Sequence, residues 1–267
     1  MDKIEICKKL KESTQKILLF DGDKFAGFSG SGIVIKSDGM LLTANHVVAP
    51  CAKLINPRIF AHSAGGISHK KTEYRLRLFD VSFDIGMPNF AKPLLIDLAV
   101  LMPKEKINDR PYIETENELC VEGQDMFMAG FPDEISPPLN FNRMLNFENS
   151  ELAKSKEQIE IFFSSFMCLI MIKSGMIGGI QKVNISGKSQ IKGFEKDIKA
   201  NGAVYWIDNG SNHGASGGPV VDVNGKLVGI ICEKGLTTQL ITENSGIKVP
   251  SGATMALSHH LITWALK

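Results

Sequence analysis

Apolar positions in the first fifteen residues recur at Ile4, Cys7 and Leu10 among lysines and glutamates, the spacing of a short amphipathic helix packed on a larger body. From Lys16 the pattern becomes that of β-strands. Ile17-Leu18-Leu19-Phe20 is one apolar run, and Gly30-Ser31-Gly32-Ile33-Val34-Ile35 and Met40-Leu41-Leu42-Thr43 are two more, separated by Ser37-Asp38-Gly39. An Asp-Gly turn between apolar runs predicts a hairpin. Glu73, Arg75 and Arg77 alternate with Tyr74, Leu76 and Leu78, as in a strand with one wet face. Residues 93–101 read as a strand that is apolar except for Asp97, 178–183 and 252–257 as later strands, and 220–231 as an apolar hairpin turning at Asn224-Gly225. The apolar run 161–172 falls short of the roughly 20 residues of a membrane span. It reads as a buried strand or helix, with a membrane-touching insert as the other reading.

Composition narrows the classes. A chain of 267 residues accommodates one large domain or two small lobes, and 43% hydrophobic with 22% charged residues is ordinary for a globular protein. With a net charge of +1 there is no electrostatic footprint for nucleic acid or an anionic membrane, so neither is expected as a partner. The basic clusters at 69–71 and 188–199 read as solvated faces. Five cysteines, at 7, 51, 120, 168 and 232, are an odd number without metal-ligand spacing, which argues against a full disulfide framework and against a metal. The mixed-charge start, Met1-Asp2-Lys3-Ile4-Glu5, lacks the apolar run of a signal peptide. A cytoplasmic location is the expectation.

Candidate chemistry concentrates in Gly214-Ala215-Ser216-Gly217-Gly218-Pro219. A serine hydroxyl attacks only when a base takes its proton and fixed donors stabilise the oxyanion. Flanking glycines allow a sharp turn in which the N–H groups of Gly214 and Ser216 point into one small space. Alone, the stretch reads equally as a Gly-rich turn entering a strand. His46, carried on Ala44-Asn45-His46-Val47-Val48 at the end of an apolar strand, is held where a general base is needed. Asp97, inside an apolar run, needs a hydrogen-bonding partner, and a histidine N–H would also fix that histidine's tautomer. Asp80 and Asp84 compete for this part but sit among loop-like residues.

Three stretches together resemble the chymotrypsin/trypsin-like serine proteases, and within them the Do-like (HtrA-type) branch: 30–35 with 42–48, Asp97-Leu98-Ala99-Val100-Leu101, and 214–221 with 225–230. Gly130-Phe131-Pro132 resembles the opening of that branch's second lobe, and 252–257 the strand before its closing helix. The resemblance implies an all-β fold of two antiparallel six-stranded β-barrels with the active site between them. It divides the chain into an N-terminal helix (1–15), a first barrel (16–115), a second barrel (116–256) and a C-terminal helix (257–267). It implies Ser216 as nucleophile, His46 as general base and acid, Asp97 as the residue orienting His46, and Gly214 with Ser216 as the oxyanion hole, with no metal or cofactor and a polypeptide substrate.

The departures from that family bear on mechanism. Ala215 stands where the family usually has Asp or Asn, whose side chain helps hold the oxyanion loop, so activation by a new N-terminus pairing with an acid is not expected. The separation of Asp97 from Ser216 is long for a Do-like domain, with an insert expected at about 137–200 that either covers the cleft, meets a partner, or is an outer loop. No room is expected in these 267 residues for the PDZ module that follows the protease domain in many relatives. The specificity pocket should involve Gly210, His213, Ile231, Cys232 and Glu233. Gly210 brings no charge to the pocket floor, which favours a small or apolar residue before the scissile bond. Cys232 reads as a packing residue rather than a redox switch. The remaining histidines read as uninvolved, His62 and His69 in a Gly/Ser-rich loop and His259 and His260 on the closing helix. The resulting expectation is a serine endopeptidase. Its rivals are a partner-gated protease effector, with a regulatory protein as partner, and a catalytically silent protease-fold binding module.

Overall fold

The computed structural model describes residues 1–63, 71–84, 94–132, 169–191, 194–242 and 245–266. Helix α1 (Lys3–Ser13) buries Ile6 and Leu10 and leaves Ile4 77% exposed. Its apolar face therefore runs through the i, i+4 pair Ile6 and Leu10, not through Ile4, Cys7 and Leu10. The helix stops at Ser13 because Thr14 is already extended and begins a strand.

The first half of the chain contributes β1 (Thr14–Asp21), β2 (Lys24–Val34), β3 (Leu41–Thr43), the one-turn helix α2 (Asn45–Val48), β4 (Pro57–Ser63), β5 (Thr72–Leu78), β6 (Ser82–Asp84), β7 (Leu94–Leu95) and β8 (Ala99–Pro103). Six of these strands close a barrel in the order β1-β2-β3-β8-β5-β4. The Ser37–Gly39 turn joins β2 to β3 in the register Ile33↔Leu42 and Val34↔Leu41, as the Asp-Gly signal predicts. Ile17, Ile33, Leu41, Leu42, Val100 and Leu101 are completely buried in its core.

The second half supplies β9 (Asp125–Gly130), β10 (Met171–Ile191), β11 (Phe194–Ile207), β12 (Pro219–Asp222), β13 (Leu227–Thr242) and β14 (Ser245–Ser258). They follow the order β11-β14-β13-β12-β9-β10, and β10 also pairs with β11, so the sheet returns on itself. The short β6 and β7 are added to this sheet beyond β10, although in sequence they lie between strands of the first barrel. The molecule is thus all-β, a closed six-stranded barrel beside a second sheet curled into a barrel.

Two local expectations are corrected. Residues 93–101 are not one strand: β7 ends at Leu95, β8 begins at Ala99, and Asp97 lies in the link. His62 is a buried residue of β4, not of a loop. Residues 188–191 and 194–199 of the basic stretch form the outer part of the β10–β11 hairpin, paired through Lys188↔Asp197 and reaching β6 through Lys188↔Asp84. Of the expected insert, residues 171–191 and 194–200 are strands of this hairpin. Residues 133–168, with Cys168, and His69 lie outside the described residues.

The chain closes with a 3-10 turn at His259–Ile262 and helix α3 (Thr263–Leu266). His259 is buried with Nδ1 3.2 Å from the Val228 carbonyl, and His260 Nε2 lies 3.0 Å from that of Asn117, so both histidines fasten the closing turn to the second barrel. Among the described residues no helix is long and apolar enough to cross a membrane.

Candidate active site

Helix α2 follows β3 directly. Its buried residues Asn45, Val47 and Val48 anchor one turn and leave His46 facing outward. Asn45 is locked to Asp80 reciprocally, its Nδ2 donating to Oδ1 at 2.9 Å and the Asp80 amide donating to Asn45 Oδ1 at 2.8 Å. Asp80, one of the competing acids, is thereby committed to orienting the helix.

Asp97 sits between buried Ile96 and Leu98, which turn its carboxylate outward. Its Oδ1 accepts the His46 backbone amide at 2.8 Å and its Oδ2 lies 2.7 Å from His46 Nδ1. An ionised carboxylate only accepts hydrogen bonds, so Nδ1 carries the proton and Nε2 keeps its lone pair. The two side chains are 48% and 29% exposed, so the pair lines an open cleft rather than a sealed core. The hydrogen bond from Asp97 raises the His46 pKa above 6.5 against the opposing effect of burial, with smaller contributions from the charges of Asp97 and Glu233.

Ser216 is presented by two consecutive β-turns. In the first, the Ala215 amide donates to the Asn212 carbonyl at 3.1 Å, with Gly214 at φ +84° in third position. In the second, the Gly218 amide donates to the Ala215 carbonyl at 2.9 Å, with Gly217 at φ +82°. Positive φ at the third position alone is the mark of a type II turn and calls for glycine. At Gly217 there is also no room, since a Cβ would stand 2.1 Å from the Ser31 carbonyl oxygen and 2.2 Å from Thr43 Oγ1. Among the described residues the amides of Gly214 and Ser216 donate to no acceptor, leaving two N–H groups unengaged beside the hydroxyl. The Ser216 hydroxyl itself donates to the Cys232 carbonyl at 3.4 Å.

Strand β2 lies between α2 and this loop. A Cβ on Gly30 would meet Val47 Cγ2 at 2.7 Å and the Ser216 carbonyl oxygen at 2.8 Å, so only glycine lets the three elements approach and set His46 and Ser216 on one cleft. The next residue, Ser31, is completely buried and joins the barrels. Its amide donates to the Ser216 carbonyl at 2.7 Å, its hydroxyl donates to the Gly214 carbonyl at 2.8 Å, and that hydroxyl accepts the Phe131 amide at 2.9 Å. Thr43 Oγ1 donates to the Ser31 carbonyl at 2.6 Å. Sequence reading had no part for Ser31. The available signal was a lone hydroxyl inside a Gly-Ser-Gly run at the end of a core strand.

The residues expected at the pocket have separate fates. Gly210 keeps its place on the loop before Ser216, and its carbonyl accepts Lys173 Nζ at 2.5 Å from β10. Thr254 Oγ1 donates to the Asn209 carbonyl and accepts the Ser211 amide, both at 2.6 Å, tying the same loop to β14. Asp208 Oδ1 is occupied by the Met176 amide at 2.6 Å. His213 and Glu233 are exposed, and Ile231 is buried against the loop. Cys232 is buried, its thiol 3.6 Å from the Asp97 carbonyl. Burial, with the Asp97 charge second, pushes that thiol well above its ordinary range, which keeps it protonated and unreactive. Behind the loop a small cavity of about 20 Å³ is lined by Ala215, Met128, Met171, Ile231, Lys173 and Asn212. Among the described residues no cluster of acids, histidines and cysteines is arranged to hold a metal.

The first half of the chain thus carries a histidine paired to a carboxylate, and the second half a serine on a double turn. The trypsin-like peptidase domain family matches residues 30–230, which takes in all three of these side chains, and the chain belongs to that family. Among solved structures it is similar to the Rv3671c protease from M. tuberculosis in its active form, at 16% identity and a TM-score of 0.54, covering 98% of this chain and 82% of that one. It is also similar to the HtrA-type protease AlgW with a decapeptide, at 16% identity and a TM-score of 0.53, covering 98% of this chain and 65% of that one. A variant of AlgW with a tripeptide gives a TM-score of 0.56 at 16% identity, and the chain spans 62% of its length. No curated protein sequence matches the chain.

Proposed function

We propose that the protein is a serine endopeptidase acting through an acyl-enzyme on Ser216. The observation that carries this reading is the double attachment of His46 to Asp97, which holds Nδ1 as the donor and leaves Nε2 as the basic nitrogen of the neutral imidazole. In this reading the Ser216 hydroxyl leaves the Cys232 carbonyl for that base when substrate binds, as in resting sites whose catalytic hydrogen bonds tighten in the Michaelis complex. Oγ then attacks the scissile carbonyl carbon while its proton passes to Nε2. The carbonyl oxygen becomes an oxyanion facing the N–H groups of Gly214 and Ser216. The imidazolium, stabilised by Asp97, gives its proton to the amine as the carbon–nitrogen bond breaks, leaving an ester on Oγ. Water deprotonated by Nε2 attacks that ester, and the proton returns to Oγ as the acid product departs.

A polypeptide substrate accords with the peptide-bound HtrA-type structures to which the chain is similar. The pocket loop carries no acid at Gly210, and Asp208 is already spent on the Met176 amide. A small or apolar residue is therefore favoured before the scissile bond. Incubation with an unstructured protein, followed by mass spectrometry of the fragments, tests the reading. New termini following small or apolar residues, absent with Ser216→Ala, support it. An intact substrate, or the same cuts with Ser216→Ala, refutes it.

A further inference from the structure

We propose that Ser31 is the positioning residue of the oxyanion loop, supplied by the opposite barrel and performing the task for which Ala215 has no side chain. The proposal rests on the reading of Ser216 as nucleophile. Following each peptide unit of the loop in turn shows why Ser31 matters. The unit between Gly214 and Ala215 is pinned at both ends, its carbonyl by the Ser31 hydroxyl at 2.8 Å and its amide by the Asn212 carbonyl at 3.1 Å. The unit between Ser216 and Gly217 is likewise pinned, its carbonyl by the Ser31 amide and its amide by the Ile231 carbonyl, each at 2.7 Å.

Fixing these two units sets the direction of the amides that precede them, those of Gly214 and Ser216, without engaging either. The direction of these two amides is a consequence of where the carbonyls are held. Ser31 holds both carbonyls. Its hydroxyl is fully used, donating to Gly214 and accepting from Phe131 at 2.9 Å, so it has no alternative orientation that leaves both partners satisfied. With Ser31 completely buried, no water competes for these bonds. The oxyanion hole is accordingly assembled by the packing of one barrel on the other, and it requires neither an acid at position 215 nor a freed N-terminus.

Ser31→Ala removes the hydroxyl and retains the amide bond to Ser216, so it isolates the contact with Gly214. The probe is a fluorophosphonate, which forms a bond between Ser216 Oγ and phosphorus as fluoride leaves and draws on the oxyanion hole to do so. Its maximal labelling rate and half-saturating concentration are measured by intact mass over time. Ile59→Val, in the core of the N-terminal barrel on β4, serves as the control for general loosening.

For Ser31→Ala the maximal rate should fall roughly tenfold to a hundredfold, with the half-saturating concentration within about twofold and labelling still complete. Ser31→Cys, which keeps a weak donor, should fall between it and the wild type and carries the test if Ser31→Ala does not fold. Labelling of the serine-31 variant at the wild-type rate overturns the proposal, as does an equal loss in Ile59→Val. A wild type that takes no label overturns the nucleophile reading and this role with it. A labelled wild type with an unaffected variant overturns the role of Ser31 alone.

Discussion

His46 meets Asp97 twice, through its backbone amide on one carboxylate oxygen at 2.8 Å and through Nδ1 on the other at 2.7 Å. A carboxylate gripped at both oxygens cannot swing away, and it fixes the imidazole's plane and tautomer together. The main-chain contact is possible because His46 lies in the first turn of α2, where amides have no helical acceptor.

Asp97→Asn tests that grip. An amide in place of the carboxylate can present its NH₂ group to the ring and so favour the wrong tautomer. The expected result is a loss of about 10⁴-fold in kcat, read with a peptide substrate, with little change in thermal stability.

The pH dependence of activity should follow His46. General-base action needs neutral imidazole, and Asp97 raises the His46 pKa above 6.5, so kcat/KM should climb with pH to a midpoint above that value and then level. Asp97→Asn should move the midpoint downward. The effect on stability has the opposite sense. The ion pair's stabilisation is complete below pH 6.5 and fades as pH rises through the raised pKa, and solvent exposure keeps it under about 1 kcal/mol.

His259 should make the fold acid-sensitive. Burial, with the charge of neighbouring His260 second, lowers its pKa to about 4. A histidine held neutral in the fold but free to charge when unfolded stabilises fully above pH 6.5, and that contribution drains away as pH falls towards 4. The loss is on the order of 3 kcal/mol. Thermal melts between pH 7 and pH 4 should show a falling Tm, and His259→Phe should flatten the slope even though it forfeits the bond to Val228.

Gly217→Ala and Gly123→Ala separate crowding from backbone strain. Both glycines have positive φ, but a Cβ at 217 would collide with Ser31 and Thr43, while one at 123 would meet nothing within 4 Å. Gly123→Ala should cost about 1 kcal/mol. Gly217→Ala should cost roughly 3 kcal/mol or more and abolish activity, since the loop must move to admit the methyl. Urea midpoints and residual peptidase activity check both.

The strands that frame the site were legible as short apolar runs, and the β2–β3 hairpin because its turn is Asp-Gly. Asp97 was identified for a reason the structure revises. Its strand is broken, and the acid is turned out to the cleft between buried Ile96 and Leu98, not sunk within an apolar run. The closing histidines looked uninvolved because nothing in sequence places the Val228 and Asn117 carbonyls beside them. Ser31 was illegible for the same reason. Its partners lie a hundred residues or more along the chain, at Phe131, Gly214 and Ser216, and only the docking of two barrels brings them together. Residues 188–191 and 194–199 carry no strong β alternation, yet the long hairpin imposes pairing on them.

The most direct test of the account is intact mass after incubation with a fluorophosphonate, on the wild type and on Ser216→Ala. One adduct per chain on the wild type and none on the variant is the predicted result, because the reagent needs nucleophile, base and oxyanion hole assembled together. No adduct on the wild type, or equal labelling of both, would contradict the assignment of Ser216 as the nucleophile.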